Sequence, residues 1–220
     1  MEDKPIRMDL SKPELVSTNE LSWLKSPAAG VERKPLERER AESGHTTSIV
    51  RYAPESHFPA HVHTGGEEFL VLAGTFSDEH GDYPQGTYVR NPPMTKHAPY
   101  TKQGCMIFVK LCQYQTHDTN RSVQQILQGE WVEDAETNIR KNLLHKFNQE
   151  TICIEHWGSG AKTIANRREN GEEIFVIEGS FNDEKHHYKQ GTWIRLPAGS
   201  SIPARWSDTG CLLYVKRGHL

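Results

Sequence analysis

A segment of this chain is written twice. Gly66-Glu67-Glu68-Phe69-Leu70-Val71-Leu72-Ala73-Gly74-Thr75-Phe76 lies over Gly171-Glu172-Glu173-Ile174-Phe175-Val176-Ile177-Glu178-Gly179-Ser180-Phe181, an offset of 105 residues. The offset holds downstream: Gln85-Gly86-Thr87-Tyr88-Val89-Arg90 lies over Gln190-Gly191-Thr192-Trp193-Ile194-Arg195, and Pro92 over Pro197. It holds upstream too, with Thr46 over Thr151 and Tyr52 over Trp157. Late in the unit it slips, with Gly104-Cys105 over Gly210-Cys211, so one residue has been inserted in the second copy after Pro197. Repetition at a fixed period signals copies of one structural unit, so the two halves must share a fold.

Each copy reads as β. Segments 47–52, 67–72, 86–90 and 106–111 are short and rich in Val, Ile, Phe, Tyr and Thr. Gly, Pro and Asp turns separate them at roughly ten-residue intervals. That spacing predicts an all-β sandwich or barrel rather than βαβ units. The expected organisation is an N-terminal arm at 1–45, with one strand near 34–40 against a barrel edge, and a first barrel at 46–118. A linker and strand follow at 119–145, of which 121–130 reads as a short helix or plain linker, and then a second barrel at 146–220. Many strands in one chain need covered edges, which predicts pairing between the halves or across a homodimer.

Composition removes several classes. The formal charge is −3 with no basic stripe, which argues against nucleic acid and membrane surfaces. No stretch approaches the ~18 apolar residues of a membrane helix. The polar start lacks a signal-peptide core, and the four cysteines form no CxxC pair, so a reducing cytoplasm is expected. There is no phosphate loop, dinucleotide fingerprint or Ser/His/Asp set.

Twelve histidines are many for 220 residues, and position decides what they mean. The first copy holds His61-Val62-His63-Thr64-Gly65-Gly66-Glu67, and His97 follows the turn Asn91-Pro92-Pro93-Met94. Residues two apart on a strand share a face, so His61 and His63 project together. Glu67 offers an oxygen and His97 a third nitrogen, a donor set that suits zinc, iron, manganese, nickel or copper. Glu67 and Glu68 compete for the oxygen position. Strand parity puts Glu67 inward with Phe69 and Val71, provided Gly65-Gly66 adds no bulge.

His61-x-His63-x3-Glu67-x6-Gly74 resembles the first cupin motif, and Gly86-x5-Pro92 followed by His97 resembles the second. The chain departs from these patterns at Glu55 and Met94, where the family has Gly, and at Thr101, where it has Asn. The resemblance implies two tandem jelly-roll barrels, a bicupin, with one divalent metal on His61, His63, Glu67 and His97. More narrowly, Val50-Arg51-Tyr52-Ala53-Pro54, Gly66–Leu72, Phe76-Ser77-Asp78-Glu79 and Gly81-Asp82-Tyr83 are similar to the cupin domain of ChrR-type anti-sigma factors, over roughly residues 22–112. That likeness implies zinc and a sensing role in the singlet-oxygen response, with a protein partner. The helical zinc domain that grips a sigma factor has no counterpart in these residues, so direct sigma binding is not expected. The same run resembles small iron dioxygenases acting on hydroxyacetophenones or β-diketones, which would take a small-molecule ligand at an iron or manganese site. A module that holds metal for stability alone is the third reading.

In the second copy His61 becomes Asn166, His63 becomes Arg168, Glu67 stays as Glu172, and His97 becomes Ile202 or Pro203. No second metal is expected. A buried lone carboxylate needs a partner, so an Arg168–Glu172 ion pair is expected in the ion's place. Tyr88, Tyr100 and Arg90 are the candidate acid–base residues by their nearness to the motifs, and read more naturally as core or rim. Cys105 and Cys211 open matching apolar strands and read as small buried hydrophobes.

Overall fold

The computed structural model describes residues 4–41 and 43–220. Among them are strands, bridges and turns but no helix, and hence no helix that could cross a membrane. The segment 121–130, expected as a helix or linker, is strand Ser122–Gln125 followed by a turn. The chain divides into two compact units. One is Leu21–Ile126 with the segment ending at Met8, and the other is Leu127–Leu220 with Asp9–Glu20.

In the first unit the main sheet runs Ser122–Gln125, Thr87–Asn91, Glu67–Asp78, Cys105–Leu111, Thr46–Tyr52, Val31–Arg38, Leu24–Lys25, all antiparallel. Strand Glu67–Asp78 serves two layers. Its first half pairs with Thr87–Asn91 and its second half with Gly81–Pro84 and Tyr100–Thr101. A bulge opposite Met106/Ile107 and Gly74 mark the change. Gly74 sits at φ +70°, and a Cβ there would fall 2.1 Å from the Gly104 carbonyl oxygen, so only glycine fits. The second unit repeats the device: a bulge between Val176 and Glu178, then Gly179 at φ +70° against the Gly210 carbonyl.

The second sheet runs Glu14–Ser17, Thr192–Leu196, Glu172–Asn182, Cys211–Arg217, Glu150–Trp157, Ile139–Phe147, Trp131–Asp134. The interiors correspond residue for residue. Phe69, Val71, Phe76, Tyr83, Val89 and Ile107 fill the first core, and Ile174, Val176, Phe181, Tyr188, Ile194 and Leu213 fill the second. The repeat therefore encodes two barrels with the same core positions, each a jelly roll.

Upstream of each copy the chain already runs in paired strands. Within residues 1–45, the strand expected near 34–40 against a barrel edge is Val31–Arg38, which pairs along its length with Thr46–Tyr52, and Glu14–Ser17 pairs with Thr192–Leu196 in the second unit. In 119–145, expected as a linker and strand, Ile139–Phe147 is a strand that pairs along Glu150–Trp157. The strand directly preceding each copy thus extends that copy's own sheet, and Glu14–Ser17 belongs to the second unit. The buried residues of Val31–Arg38 include charges. Glu37 and Arg38 are as inaccessible as Val31 and Leu36. Glu37 accepts a hydrogen bond from Thr47 Oγ1 and contacts His45 Nε2, each at 2.8 Å, with Lys110 Nζ at 4.0 Å. Pairing removes the penalty that would otherwise keep such charges at the surface.

Candidate metal centre

Two short strands, His61–Val62 and Lys96–His97, pair so that His61 stands opposite His97. Just beyond them the His63 amide bonds to the Thr95 carbonyl and the Met94 amide to the His63 carbonyl. Three imidazoles are thereby brought together, with ring centroids 4.6 to 4.9 Å apart. Glu67, at the start of its strand, supplies the carboxylate.

Each imidazole is anchored through Nδ1. His61 Nδ1 lies 3.0 Å from the Pro59 carbonyl oxygen, His63 Nδ1 3.1 Å from Thr95 Oγ1, and His97 Nδ1 3.0 Å from Asp78 Oδ2. All three Nε2 atoms are left to converge. His61 and His63 Nε2 are 3.1 Å apart, and Glu67 Oε2 lies 3.4 Å from His63 Nε2 and 3.6 Å from His97 Nε2. One donor atom from each of the four residues falls within 4.8 Å of the others. Glu67 Oε2 is held by Asn91 Nδ2 at 3.1 Å. His97 Nε2 is buried without a hydrogen-bond partner, an arrangement costly in a closed core and natural for a ligand atom. Three imidazole nitrogens and a carboxylate with one orphaned donor fit a divalent transition ion.

Burial, opposed by the Glu67 charge, holds His63 below the ordinary imidazole pKa. Burial acts on His97 in the same sense, but its Asp78 hydrogen bond and the Glu67 and Asp78 charges outweigh it and raise the pKa. Asp78 also accepts from Tyr83 Oη at 3.1 Å and from the His80 amide at 2.8 Å. Such a carboxylate fixes the ring and its tautomer. Asp78→Asn is therefore expected to weaken divalent-ion affinity about 10- to 100-fold, as read by competition with a chromophoric chelator.

Glu67 is the inward carboxylate, as strand parity gives. Glu68 faces the other way, accepting from Tyr88 Oη at 3.0 Å and Arg90 at 2.6 Å. Tyr88 and Arg90 therefore lie away from the donors, and Tyr100 stacks on His57. None of the three lines the cavity that does face the donors. That cavity, about 410 Å³, is walled by Val31, Val50, Phe58, Phe76, Ile107 and Val109, with Arg33, Ser48 and Tyr52 among its polar groups. Met94 and Glu55, which replace motif glycines, still take the left-handed backbone at φ 71° and 58°. The turns survive at a cost of about 1–2 kcal/mol each.

In the second unit Asn166 pairs with Ile202 as His61 pairs with His97. This selects Ile202 over Pro203 as the His97 counterpart and puts the insertion after it. The Arg168–Glu172 contact is present at 3.2 Å, but Arg168 Nε makes no hydrogen bond. The principal partners are ones the sequence reading did not single out: Arg205 Nη1 and Arg217 Nε, each 2.7 Å from Glu172. Arg217 Nη1 also reaches Glu155 at 2.8 Å. Cys105 and Cys211 are buried, and burial pushes their thiols up to about 11 and about 12, which suits packing rather than attack.

The model of the ChrR cupin-like domain matches residues 11–115 and again 119–220. This chain belongs to that family. No curated protein matches it. Among solved structures this ChrR-family cupin is similar to a proposed dioxygenase of Nostoc punctiforme PCC 73102, at TM-score 0.79 and 15% identity over 94% of this chain and 82% of that one. It is similar to the protein Ylba of E. coli, of family DUF861, at TM-score 0.72 and 15% identity over 98% and 94%. A third is Bacillus subtilis oxalate decarboxylase, studied for its Mn(II) centres, at TM-score 0.64 and 12% identity over 94% and 77%. Identities this low establish the shared two-barrel fold and nothing finer.

Proposed function

We propose that this ChrR-family cupin binds one divalent metal on His61, His63, Glu67 and His97 and acts as a metal-dependent oxygenase on a small organic molecule. The observation that carries the reading is the apolar cavity of about 410 Å³ lined by the same four residues. Small-molecule sites span about 300–1,000 Å³ and combine apolar walls with a few placed polar groups. A centre that held metal for stability alone would need no such space. The Nostoc neighbour, itself a proposed dioxygenase, points the same way.

Iron or manganese bound there would supply the redox and Lewis-acid chemistry that oxygen insertion needs. The chain's own residues have separate tasks. Asp78 holds the His97 ring, Asn91 holds Glu67, and Phe76 and the aliphatic walls exclude water. Burial and the Glu67 charge push the Tyr52 phenol far up, so it stays a proton donor at neutral pH. The expected result is about one iron or manganese per chain after purification without added metal, with dioxygen uptake on adding a small β-diketone or hydroxyaryl ketone. About one zinc and no uptake would instead favour the regulatory reading. That second reading is supported by membership of the ChrR family, and its ligand is a protein partner or a small-molecule signal.

A further inference from the structure

The wall of the cavity away from the donors is polar in one place, and that place has an unmet need. Ser48 is 1% exposed and lines the cavity. Its Oγ is buried without a hydrogen-bond partner. A hydroxyl turned into an otherwise apolar space loses its water on folding and recovers nothing, unless an occupant bonds to it. Ser48 pairs with Val109, which pairs in turn with Phe69, two residues from Glu67 on the same face. Two strand spacings put the Ser48 backbone about 10 Å from the strand of Glu67. Val50, Phe76, Ile107 and Val109 also line the cavity. Tyr52 and Arg33 line the same cavity. The Tyr52 phenol feels both the Arg33 cation and the Glu67 carboxylate, and the Arg33 guanidinium also donates to Ser26 Oγ at 2.7 Å.

We infer that the cavity reads its organic ligand at both ends: oxygen atoms at the His/Glu centre, a one-ring apolar body against the aliphatic wall, and a distal oxygen acceptor, carried as a carboxylate, on Ser48. The inference rests on the metal-site reading and names the class of compound that site accepts. Because Arg33 can only donate and Ser48 can donate, an anionic acceptor is favoured over a donor. Because the body must cross apolar residues, a sugar or a polyol is excluded. Ser48 is a specificity residue here and takes no part in the chemistry.

The test loads the full-length protein with iron(III) and titrates two catechols, which chelate iron alike and give a visible charge-transfer band. The first, 3,4-dihydroxybenzoate, carries a distal carboxylate, and 4-methylcatechol carries a methyl group in its place. Ser48→Ala is expected to weaken 3,4-dihydroxybenzoate about tenfold, the size of one charge-assisted hydrogen bond, and to leave 4-methylcatechol unchanged. Ser48→Thr, which keeps the hydroxyl, should retain the wild-type values. If Ser48→Ala weakens both probes equally, or neither, while the band is present, the Ser48 inference is overturned and the metal centre stands. If wild-type protein retains no iron, or retains it and shows no band with either catechol, the metal-and-ligand reading itself is overturned, and the inference with it.

Discussion

The His97→Ala protein is expected to purify with less than about a tenth of the metal of the wild type, and to bind added divalent ion at least ~100-fold more weakly. Loss of a supporting carboxylate alone costs 10- to 100-fold, and His97 is a donor with its Nε2 buried and unpartnered. The substitution also strips Asp78 of the imidazole 3.0 Å away. Asp78 keeps Tyr83 and the His80 amide as partners, so the barrel should hold together. Metal content per chain and far-UV circular dichroism, measured on the same sample, separate the two effects. Normal metal content in a folded His97→Ala protein would mean that the four residues are not the centre.

The four donors were legible because their signal is local. Strand parity joins His61 to His63 and selects Glu67 over Glu68. The groups that orient them were not. Asp78 sits at the far end of the strand that begins with Glu67 and reaches His97 only because that strand bends between two layers. Gly74 could have hinted at the bend, and its copy Gly179 repeats the hint. Ser48 was invisible for a similar reason, since a serine in a β segment reads as surface until the cavity behind it is known. The strand Val31–Arg38 was legible only in part, as one near 34–40, because hydrophobic alternation assumes that charges face water, and Glu37 and Arg38 do not. Pattern reading locates residues whose burial follows polarity, and loses those buried by pairing.

The two barrels start from one mould and fill the same interior position differently. In the first, a carboxylate meets three imidazoles beside a cavity. In the second, the equivalent carboxylate, Glu172, meets three guanidiniums, from Arg168, Arg205 and Arg217. Arg205 and Arg217 lie outside both motif positions, so the charges that meet Glu172 come from elsewhere in the barrel. A metal centre can be emptied and refilled, whereas the arginine cluster is permanent. This division agrees with the proposed reading, in which the first barrel holds the ligand site and the second supplies scaffold.

The consequence is a specific acid sensitivity of the second barrel. Glu172 is fully buried. Burial alone would raise its pKa, but the Arg217, Arg205 and Arg168 charges win and hold it near about 2, against an ordinary 4.5. A carboxyl whose pKa is depressed by folding stabilises the native state above its unfolded value, and that stability fades as pH falls toward the folded value. The shift corresponds to about 3 kcal/mol, present above pH ~4.5 and lost between pH ~4.5 and ~2. Glu172→Gln removes the charge at every pH and leaves Arg205 and Arg217 facing a neutral amide, with an expected cost of about 3–5 kcal/mol at pH 7. Urea unfolding followed by tryptophan fluorescence reads this directly, because Trp131, Trp157, Trp193 and Trp206 all lie in the second unit. The wild type should lose stability steeply below pH ~4.5, and the variant should start lower and lose less over the same range. Parallel pH curves for the two proteins would show that Glu172 titrates as an ordinary carboxyl and that the arginines do not hold it.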